Sequence, residues 1–159
     1  MKYVAQTKSV KGFPGSQPVS NSELLELQCD ALFPCALEGQ IDEKNADKVK
    51  AKIIVEGANG PVTNAATKIL HKNGVFIAPD IIANGGGVIV SYFEWVQDIS
   101  SFFWEEEEVD RRLKGIIVKA FDRGFDLHKE KNVDMRSAGM ALAVQRLEKA
   151  MLLRGLYPR

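Results

Sequence analysis

Residues 77–95 read IAPDIIANGGGVIVSYFEW, and this stretch decides how we interpret the fold. An apolar run ends at Pro79 and Asp80, and Asn84 and three consecutive glycines then open a second apolar segment. We interpret the stretch as the end of a buried strand, a loop and the start of a helix. Because glycine loses the most backbone freedom on folding, three in a row indicate that bare backbone is needed at residues 85–87.

The glycines are predicted to open a helix that starts beyond the strand ends. Asn84 belongs to the residue types that cap helices, and the free N–H groups there would face the crevice where open α/β sheets bind ligands. The apolar side chains that follow recur at helical spacing: they are Val88, Tyr92, Trp95, Val96 and Ile99. Ser91 borders the same face. A strand is the alternative, because residues 88–90 are β-branched, but its alternation fails from Tyr92 on.

Composition indicates one domain and argues against several classes of partner. The chain has 159 residues, of which 45% are hydrophobic, enough to bury a core. Lysine plus arginine and aspartate plus glutamate each number 21, so no net charge attracts nucleic acid or an anionic membrane surface. No apolar run reaches about 18 residues, so no membrane span is predicted. Cys29 and Cys35 are too few for a disulfide framework or a zinc site, which favours a reducing, cytoplasmic setting without a metal.

Short apolar strands alternate with helices in the first part of the chain. Ser20 and Glu23 form a capping box for one helix, and Thr63 or Asn64 can cap another. A small helical segment is predicted at residues 45–50. The predicted strands do not alternate apolar with polar side chains; they lie at residues 30–33, 52–56 and 75–78. This order is typical of a parallel sheet covered on both faces.

From residue 100 on, the chain is predicted to be wholly helical. Four glutamates at 105–108 suit the positive end of a long helix. The buried stripe of that helix is predicted to be Val109, Leu113, Ile116, Ile117, Ala120 and Phe121. Asp134 can cap a last helix, which Gly155 and Pro158 would end.

A complete dinucleotide-binding domain needs more than these elements. It would carry G-x-G-x-x-G between its first strand and helix, with an acidic residue about 20 positions further on. The nearest match, at residues 85–90, lacks the third glycine. The strands are therefore predicted to be the later ones of such a domain, in a partial Rossmann-like sheet whose flank would be exposed. We expect the chain to be a piece of a larger unit.

Five segments carry a resemblance to a known family: they read FPGSQPVSNSELLEL, ALFPCALEGQI, NADKVKAKIIVEGANGPVT, APDIIANGGGVIVSYFEWVQ and MALAVQRLEKAM. They resemble the cofactor-domain half of the glutamate dehydrogenases, in the family that also holds leucine, phenylalanine and valine dehydrogenases. The resemblance covers nearly the whole chain. It implies that residues 1–100 are a partial NAD(P)-binding domain, and that residues 101–159 are a helical segment packing back toward a substrate domain.

The resemblance also implies an activity and a set of site residues. The reaction would be the reversible, NAD- or NADP-dependent oxidation of L-glutamate to 2-oxoglutarate and ammonia. The residues implied for the cofactor site are Cys35, Ala36, Asn59 and Asn84. Val88 and Ser91 match positions that face the substrate, and the hydroxyl of Ser91 favours glutamate, because a pocket for an apolar amino acid would not keep a hydroxyl for a carboxylate.

Other implications concern what the chain does not supply. The catalytic lysine and aspartate of the family belong to its substrate domain, so no catalytic residue is expected in these 159 residues and the chain should be inactive alone. A complete member is expected to be a homo-oligomer. The alternatives are a stand-alone binding or assembly module, and a fragment of a leucine, phenylalanine or valine dehydrogenase.

Several chemically reactive side chains are given structural roles. Cys35 has no histidine or second cysteine placed to activate it, and buried cysteines are commonly inert, so we expect an inert thiol. His71 and His128 lie near helix ends beside lysines and are expected on the solvated surface. Asp80 and Glu94 could act as acids or bases, but the sequence shows no neighbour that would perturb their pKa values.

Overall fold

The computed structural model describes residues 2–155 as a small parallel sheet with helices around it. The helices and strands, in chain order, are α1 (Lys2–Thr7), α2 (Asn21–Leu25), β1 (Ala31–Leu32), a 3₁₀ turn (Ala46–Lys48), β2 (Ile53–Val55), α3 (Asn64–Lys72), β3 (Phe76–Ala78), α4 (Asp80–Ala83), α5 (Gly86–Ser100), α6 (Glu106–Lys131) and α7 (Met135–Arg154). Every predicted strand and helix is present. The small segment predicted at 45–50 is only a 3₁₀ turn.

The sheet is parallel, with its strands in the order β1-β2-β3. Ile53 of β2 lies opposite Ala31 of β1 and Phe76 of β3. This confirms the predicted fold class, a parallel α/β sheet followed by C-terminal helices. Within residues 2–155, β1 has no strand on its other side, so the flank predicted to be exposed is open in this part of the chain.

The core lies between the sheet and α3. Ile54 of β2 and Leu70 of α3 are fully buried, and so is Ile41 from the loop after β1. Ile41 N–H donates to the carbonyl of Pro61 at 2.9 Å, which ties that loop to the segment leading into α3. The local apolar runs of the sequence therefore meet in one core beneath the sheet.

Three predicted N-caps are confirmed. The side chains of Ser20, Thr63 and Asp134 each accept a hydrogen bond from a backbone N–H in the first turn of α2, α3 and α7. The carboxylate of Glu23 accepts from the N–H of Ser20 at 2.7 Å, so the capping box is complete. Each cap satisfies donors that a helix cannot satisfy internally.

The predicted helix ends are also found. Gly74, with φ of 79°, follows α3 in the left-handed region predicted for it. Asn132 closes α6 with φ of 53°, and Gly155 closes α7. The predicted contribution of Pro158 lies outside the described residues.

The segment between β3 and α5 is helical, not the loop that the sequence suggested. Asp80–Ala83 form α4, and Asn84 closes that helix instead of opening α5. Gly85, in the right-handed helical region, is the N-cap of α5. The prediction that Asn84 caps α5 is therefore wrong, because its side-chain amide bonds the loop after β2 instead.

The glycine run serves close packing at one position and leaves open space at another. A Cβ on Gly86 would lie 3.4 Å from Cδ1 of Ile117 in α6, whereas a Cβ on Gly87 would meet nothing within 4 Å. Neither glycine has a positive φ. Gly86 therefore lies close to the side chains of α6, and the surface over Gly87 is free.

The apolar stripe predicted along α5 faces outward. Val88, Tyr92, Trp95 and Ile99 are all more than half exposed, and only Val96 is half-buried. The buried residue is Phe93, whose ring meets Trp104 edge-on at 5.5 Å between centroids. The predicted helix is confirmed, and its buried side is centred on Phe93.

Helices α6 and α7 pack on each other, and α4 packs against both of them, at one glycine of each. A Cβ on Gly139 of α7 would lie 2.9 Å from Cδ1 of Ile81, and one on Gly124 of α6 would lie 3.3 Å from Cδ1 of Ile82. The stripe predicted to be buried on α6 is not: four of its members are half-buried, and Ile116 and Ala120 are exposed. None of the helices within residues 2–155 combines the length and apolar character that a membrane span requires.

Two leucines provide a matched test of the core. Leu70→Ala in α3 should lower the free energy of unfolding by about 2–5 kcal/mol, because a fully buried side chain leaves a cavity. Leu152→Ala in α7 makes the same chemical change at a side chain that is 77% exposed, so its effect should stay within about 0.5 kcal/mol. Urea unfolding of both variants measures the difference, and equal losses would contradict this assignment of the core.

Candidate functional site at the strand ends

The loops after the three strands meet at the carboxyl edge of the sheet. The carbonyl of Pro34, after β1, accepts from the N–H groups of Gly57 and Ala58, after β2, at 3.1 and 2.9 Å. Asn84, which follows β3 and α4, donates from Nδ2 to Oδ1 of Asn59 at 2.7 Å. One side chain therefore joins the second and third loops, and backbone bonds join the first and second. This edge is where parallel α/β sheets bind ligands.

The four residues predicted for a cofactor lie in these loops. Asn59 and Asn84 are in direct contact, whereas Cys35 and Ala36 are exposed in the loop after β1. Cys35 lies against the loop after β2, since a Cβ on Gly57 would be 2.6 Å from its sulfur. Cys35 is free and exposed, so burial is not what would make its thiol inert.

The two residues predicted to face a substrate are exposed on α5. Val88 is 72% exposed, and Ser91 is also exposed. Both lie on the helix that begins at Gly86, directly after Asn84 and Gly85. The structure therefore places them on the element adjoining the Asn59–Asn84 pair, but it records no hydrogen bond between them and the pair.

A buried ion pair lies directly behind these loops. Glu56, the residue after β2, is fully buried, and both of its carboxylate oxygens accept from Nη2 of Arg136 in α7. One of them also accepts from the N–H of Asp80 at 2.7 Å. The ends of β2 and β3 are thus joined to a helix that lies 80 residues further along the chain.

Asp80 completes the cluster and reaches toward the site. Its Oδ1 accepts from Nη1 of Arg136 at 2.8 Å, and its Oδ2 accepts from the N–H of Gly60, next to Asn59, at 2.8 Å. Its backbone carbonyl accepts from the N–H of Asn84 at 3.1 Å. Asp80 therefore contacts a neighbour of one asparagine and the backbone of the other.

The two carboxyls of the cluster have pKa values that move in opposite directions. Burial raises the pKa of Glu56 above its ordinary value, and the bonds from Asp80 N–H and Arg136 only partly oppose this. Burial also acts to raise the pKa of Asp80, but the N–H groups of Gly60 and Ile81 together with Arg136 outweigh it, so the pKa is lowered. Asp80 is therefore the more firmly ionised partner of Arg136.

This cluster is the part of the site that the sequence analysis missed. The sequence shows no neighbour that would perturb the pKa of Asp80, and the structure corrects this, because Arg136 and Glu56 both contact it. One signal was available. Arg136 lies in the first turn of α7, where the helix dipole disfavours a cation, so a compensating carboxylate could have been sought. The spacing alone could not say which carboxylate. Glu94, the other candidate, is exposed.

The two histidines were predicted to lie on the solvated surface, and this prediction is wrong. His71 and His128 are half-buried, with ring centroids 6.1 Å apart. His128 also contacts Phe76 and Phe125, and its Nδ1 lies 2.5 Å from the carbonyl of Val133. They belong to an aromatic cluster between β3 and α6, away from the loops of the candidate site.

The Asn59–Asn84 pair suits a neutral, polar ligand. The amide nitrogen of Asn84 bonds the carbonyls of Gly57 and Ala58 as well as Asn59. Among the described residues, the amide nitrogen of Asn59 and the amide oxygen of Asn84 have no hydrogen-bond partner. Together they offer a donor and an acceptor, which fit amide or hydroxyl groups of a ligand. The pair has no nucleophile or general base of its own.

Comparison with known proteins gives consistent matches. Residues 1–155 match the family model described as Glutamate/Leucine/Phenylalanine/Valine dehydrogenase. The glutamate dehydrogenase of Thermotoga maritima is 46% identical over 158 residues, covering 99% of this chain and 38% of that protein. A cryptic catabolic NAD-specific glutamate dehydrogenase of Bacillus subtilis is 46% identical over 137 residues, covering 86% of this chain and 32% of that protein.

A solved structure extends the match to the backbone. The hetero-hexameric glutamate dehydrogenase from Thermus thermophilus, in its leucine-bound form, superposes with a TM-score of 0.87 at 33% sequence identity. The match covers 99% of this chain and 37% of that one. The chain thus spans less than two-fifths of the length of each of these three relatives.

The pKa of Asp80 gives the site a pH signature. A lowered folded-state pKa contributes stability that is present above the ordinary aspartate value of 3.8 and is lost as pH falls through the folded value. Asp80→Asn should therefore cost about 1–3 kcal/mol near pH 6, and the gap from the parent should narrow toward pH 3. Urea unfolding across this pH range measures both effects.

Asp122→Asn is the matched control, because Asp122 is exposed on α6 and has no ion pair among the described residues. Its unfolding free energy should follow the parent at every pH. A constant gap between Asp80→Asn and the parent from pH 6 to pH 3 would contradict the ionised role of Asp80.

Proposed function

This chain belongs to the glutamate/leucine/phenylalanine/valine dehydrogenase family, and from that premise we propose that it supplies one wall of the nicotinamide site of a glutamate dehydrogenase. The complete enzyme would oxidise L-glutamate reversibly to 2-oxoglutarate and ammonia. The observation that carries the proposal is the contact of Asn59 with Asn84 at the carboxyl edge of the sheet. Two loops that are 25 residues apart in sequence converge there on an open surface.

The cofactor would lie across the three loops. Asn59 and Asn84 present a free donor and a free acceptor for the nicotinamide ribose or amide, and the exposed Cys35 and Ala36 form the neighbouring rim. A nicotinamide cofactor supplies the hydride acceptor for this oxidation. The residues of this chain bind and orient it. The proposal covers both NAD and NADP as the cofactor, although one relative is named NAD-specific.

The substrate would lie over the start of α5. Val88 and Ser91 are exposed there, and the missing side chain of Gly87 leaves room above the helix. The hydroxyl of Ser91 can donate to the side-chain carboxylate of glutamate, which an apolar amino acid lacks. This supports glutamate over leucine, phenylalanine or valine as the substrate class.

The helical segment from residue 101 would return to a substrate domain. Several apolar side chains of α5 and α7 are more than half exposed, among them Trp95, Leu147 and Met151. An uncovered apolar surface of this kind is typical of a contact face. The catalytic lysine and aspartate are proposed to lie outside the matched stretch, so the chain should not turn over alone.

Assembly and location follow the same reasoning. One solved relative is described as hetero-hexameric, which supports an oligomer for the complete enzyme, and we keep the homo-oligomer as the proposal for this one. Both cysteines are free, which supports a reducing, cytoplasmic setting. The open flank of β1 supports a second candidate function, that of a non-catalytic module that binds another polypeptide.

Titration with NADH tests the proposed site. The chain should bind NADH with a measurable change in nicotinamide fluorescence. Asn84→Ala should weaken that binding by about threefold to tenfold, because it removes one hydrogen-bonding side chain from the pair. Asn64→Ala, at an exposed position in α3, is the matched control and should bind as the parent does.

Turnover is measured on the same sample, after its intact mass is confirmed. L-glutamate with NAD, and separately with NADP, should give no reduced cofactor. Turnover at the confirmed mass would show that a residue of this chain does the proton transfer. Failure of NADH to bind at millimolar concentration would overturn the cofactor-wall proposal and favour the non-catalytic module.

A further inference from the structure

Arg136 lies where a helix alone would not favour it. Asp134 is the N-cap of α7, so Arg136 is the second residue of the helix, at the positive end of the dipole. Its side chain is only 17% exposed. A cation held in this position and removed from water needs negative partners, and Glu56 and Asp80 supply them.

The guanidinium of Arg136 contacts the residues at which the segments carrying Asn59 and Asn84 begin. Nη2 bonds the carboxylate of Glu56, which immediately precedes the loop carrying Asn59, while Nη1 bonds Asp80, which begins α4. The planar fork of arginine can do this because its two terminal nitrogens point to different acceptors. A single side chain from α7 therefore bridges Glu56 at the end of β2 and Asp80 after β3.

The asparagine pair is fixed on the outer side of the same cluster. Asp80 accepts from Gly60 N–H through its side chain and from Asn84 N–H through its backbone carbonyl. Asn84 then donates to Asn59, which precedes Gly60 in the chain. These bonds close a ring through Asp80, Gly60, Asn59 and Asn84, and Arg136 holds the ring at Asp80.

We propose that Arg136 is a positioning residue, which holds Asn59 and Asn84 in the arrangement that a nicotinamide cofactor needs. The inference rests on the proposed function for the identity of the ligand. The positioning itself concerns only the loops of this chain. Arg136 contacts neither asparagine directly and acts through Asp80 and Glu56.

Docking of α7 does not depend on this arginine alone. Met135 and Ala138 on the same helix are buried, and Gly139 receives Ile81 of α4. These apolar contacts should keep α7 in place when the ion pair is weakened. Changing Arg136 can therefore loosen the asparagine pair without unfolding the chain, which separates positioning from general stabilisation.

Arg136→Lys is the informative variant. Lysine keeps the charge but presents one ammonium, so it cannot span Glu56 and Asp80 as the guanidinium fork does. We expect the Asn84 side-chain amide protons to exchange with solvent about threefold to tenfold faster, and NADH to bind about threefold to tenfold more weakly, as for the loss of one oriented hydrogen bond. NMR of the isotopically labelled 159-residue chain gives the first quantity, with the Asn84 signal assigned by its absence in Asn84→Asp.

Two further variants complete the experiment. Arg136→Met removes the charge and should change both quantities at least as much as Arg136→Lys does. Arg146→Met makes the same change at an exposed arginine of α7 and should change neither. If Arg136→Met does not fold, the comparison of Arg136→Lys with Arg146→Met provides the test.

The outcomes separate the two proposals. Faster exchange at Asn84 with weaker NADH binding supports the positioning role. Unchanged exchange at Asn84 in folded Arg136→Lys overturns it, whatever NADH does. If the parent chain binds no NADH, the proposed function fails, but the exchange rate at Asn84 still decides whether Arg136 holds the pair.

Discussion

The arrangement of the candidate site depends on one buried ion pair, between Glu56 at the end of β2 and Arg136 at the start of α7. Removing both charges from water is costly, and the cost is repaid only when each charged atom finds good partners. Here the carboxylate accepts from the guanidinium and from Asp80 N–H, and Asp80 provides the second acidic partner. Nε of Arg136, however, is buried and has no hydrogen-bond partner among the described residues. The pair therefore fixes geometry more clearly than it adds stability.

This constraint joins the loops that make up the candidate site. Loops at strand ends are normally the mobile part of an α/β fold. In this chain Asp80, at the start of α4, accepts a hydrogen bond from Gly60 in the loop after β2. The Asn59–Asn84 hydrogen bond joins the same two segments a second time. Because Gly124 and Gly139 have no side chain, Ile82 and Ile81 of α4 pack closely against α6 and α7. The segment from β3 to α5 therefore packs on the C-terminal helices.

How much the sequence predicts depends on how local each interaction is. Capping at Ser20, Thr63 and Asp134 involves neighbours within three residues, so it could be recognised directly. The order of apolar strands likewise indicates a parallel sheet. Some wrong assignments are local, such as the loop expected at residues 80–83, which form α4. Others concern contacts distant in sequence, since Asn84 bonds residue 59 instead of capping α5. Family resemblance located the asparagines, but no pattern could pair Glu56 with Arg136 across 80 residues.

The central claim is that Glu56 and Arg136 act as a coupled unit, and a double-mutant cycle measures this directly. The free energies of unfolding of the parent, Glu56→Gln, Arg136→Met and the double variant are obtained from urea unfolding at pH 7. We predict that the two substitutions couple by about 1.5–3 kcal/mol, because either one alone leaves a buried partner unmatched. Additive effects, within about 0.5 kcal/mol, would show that the two side chains act independently and would contradict this account.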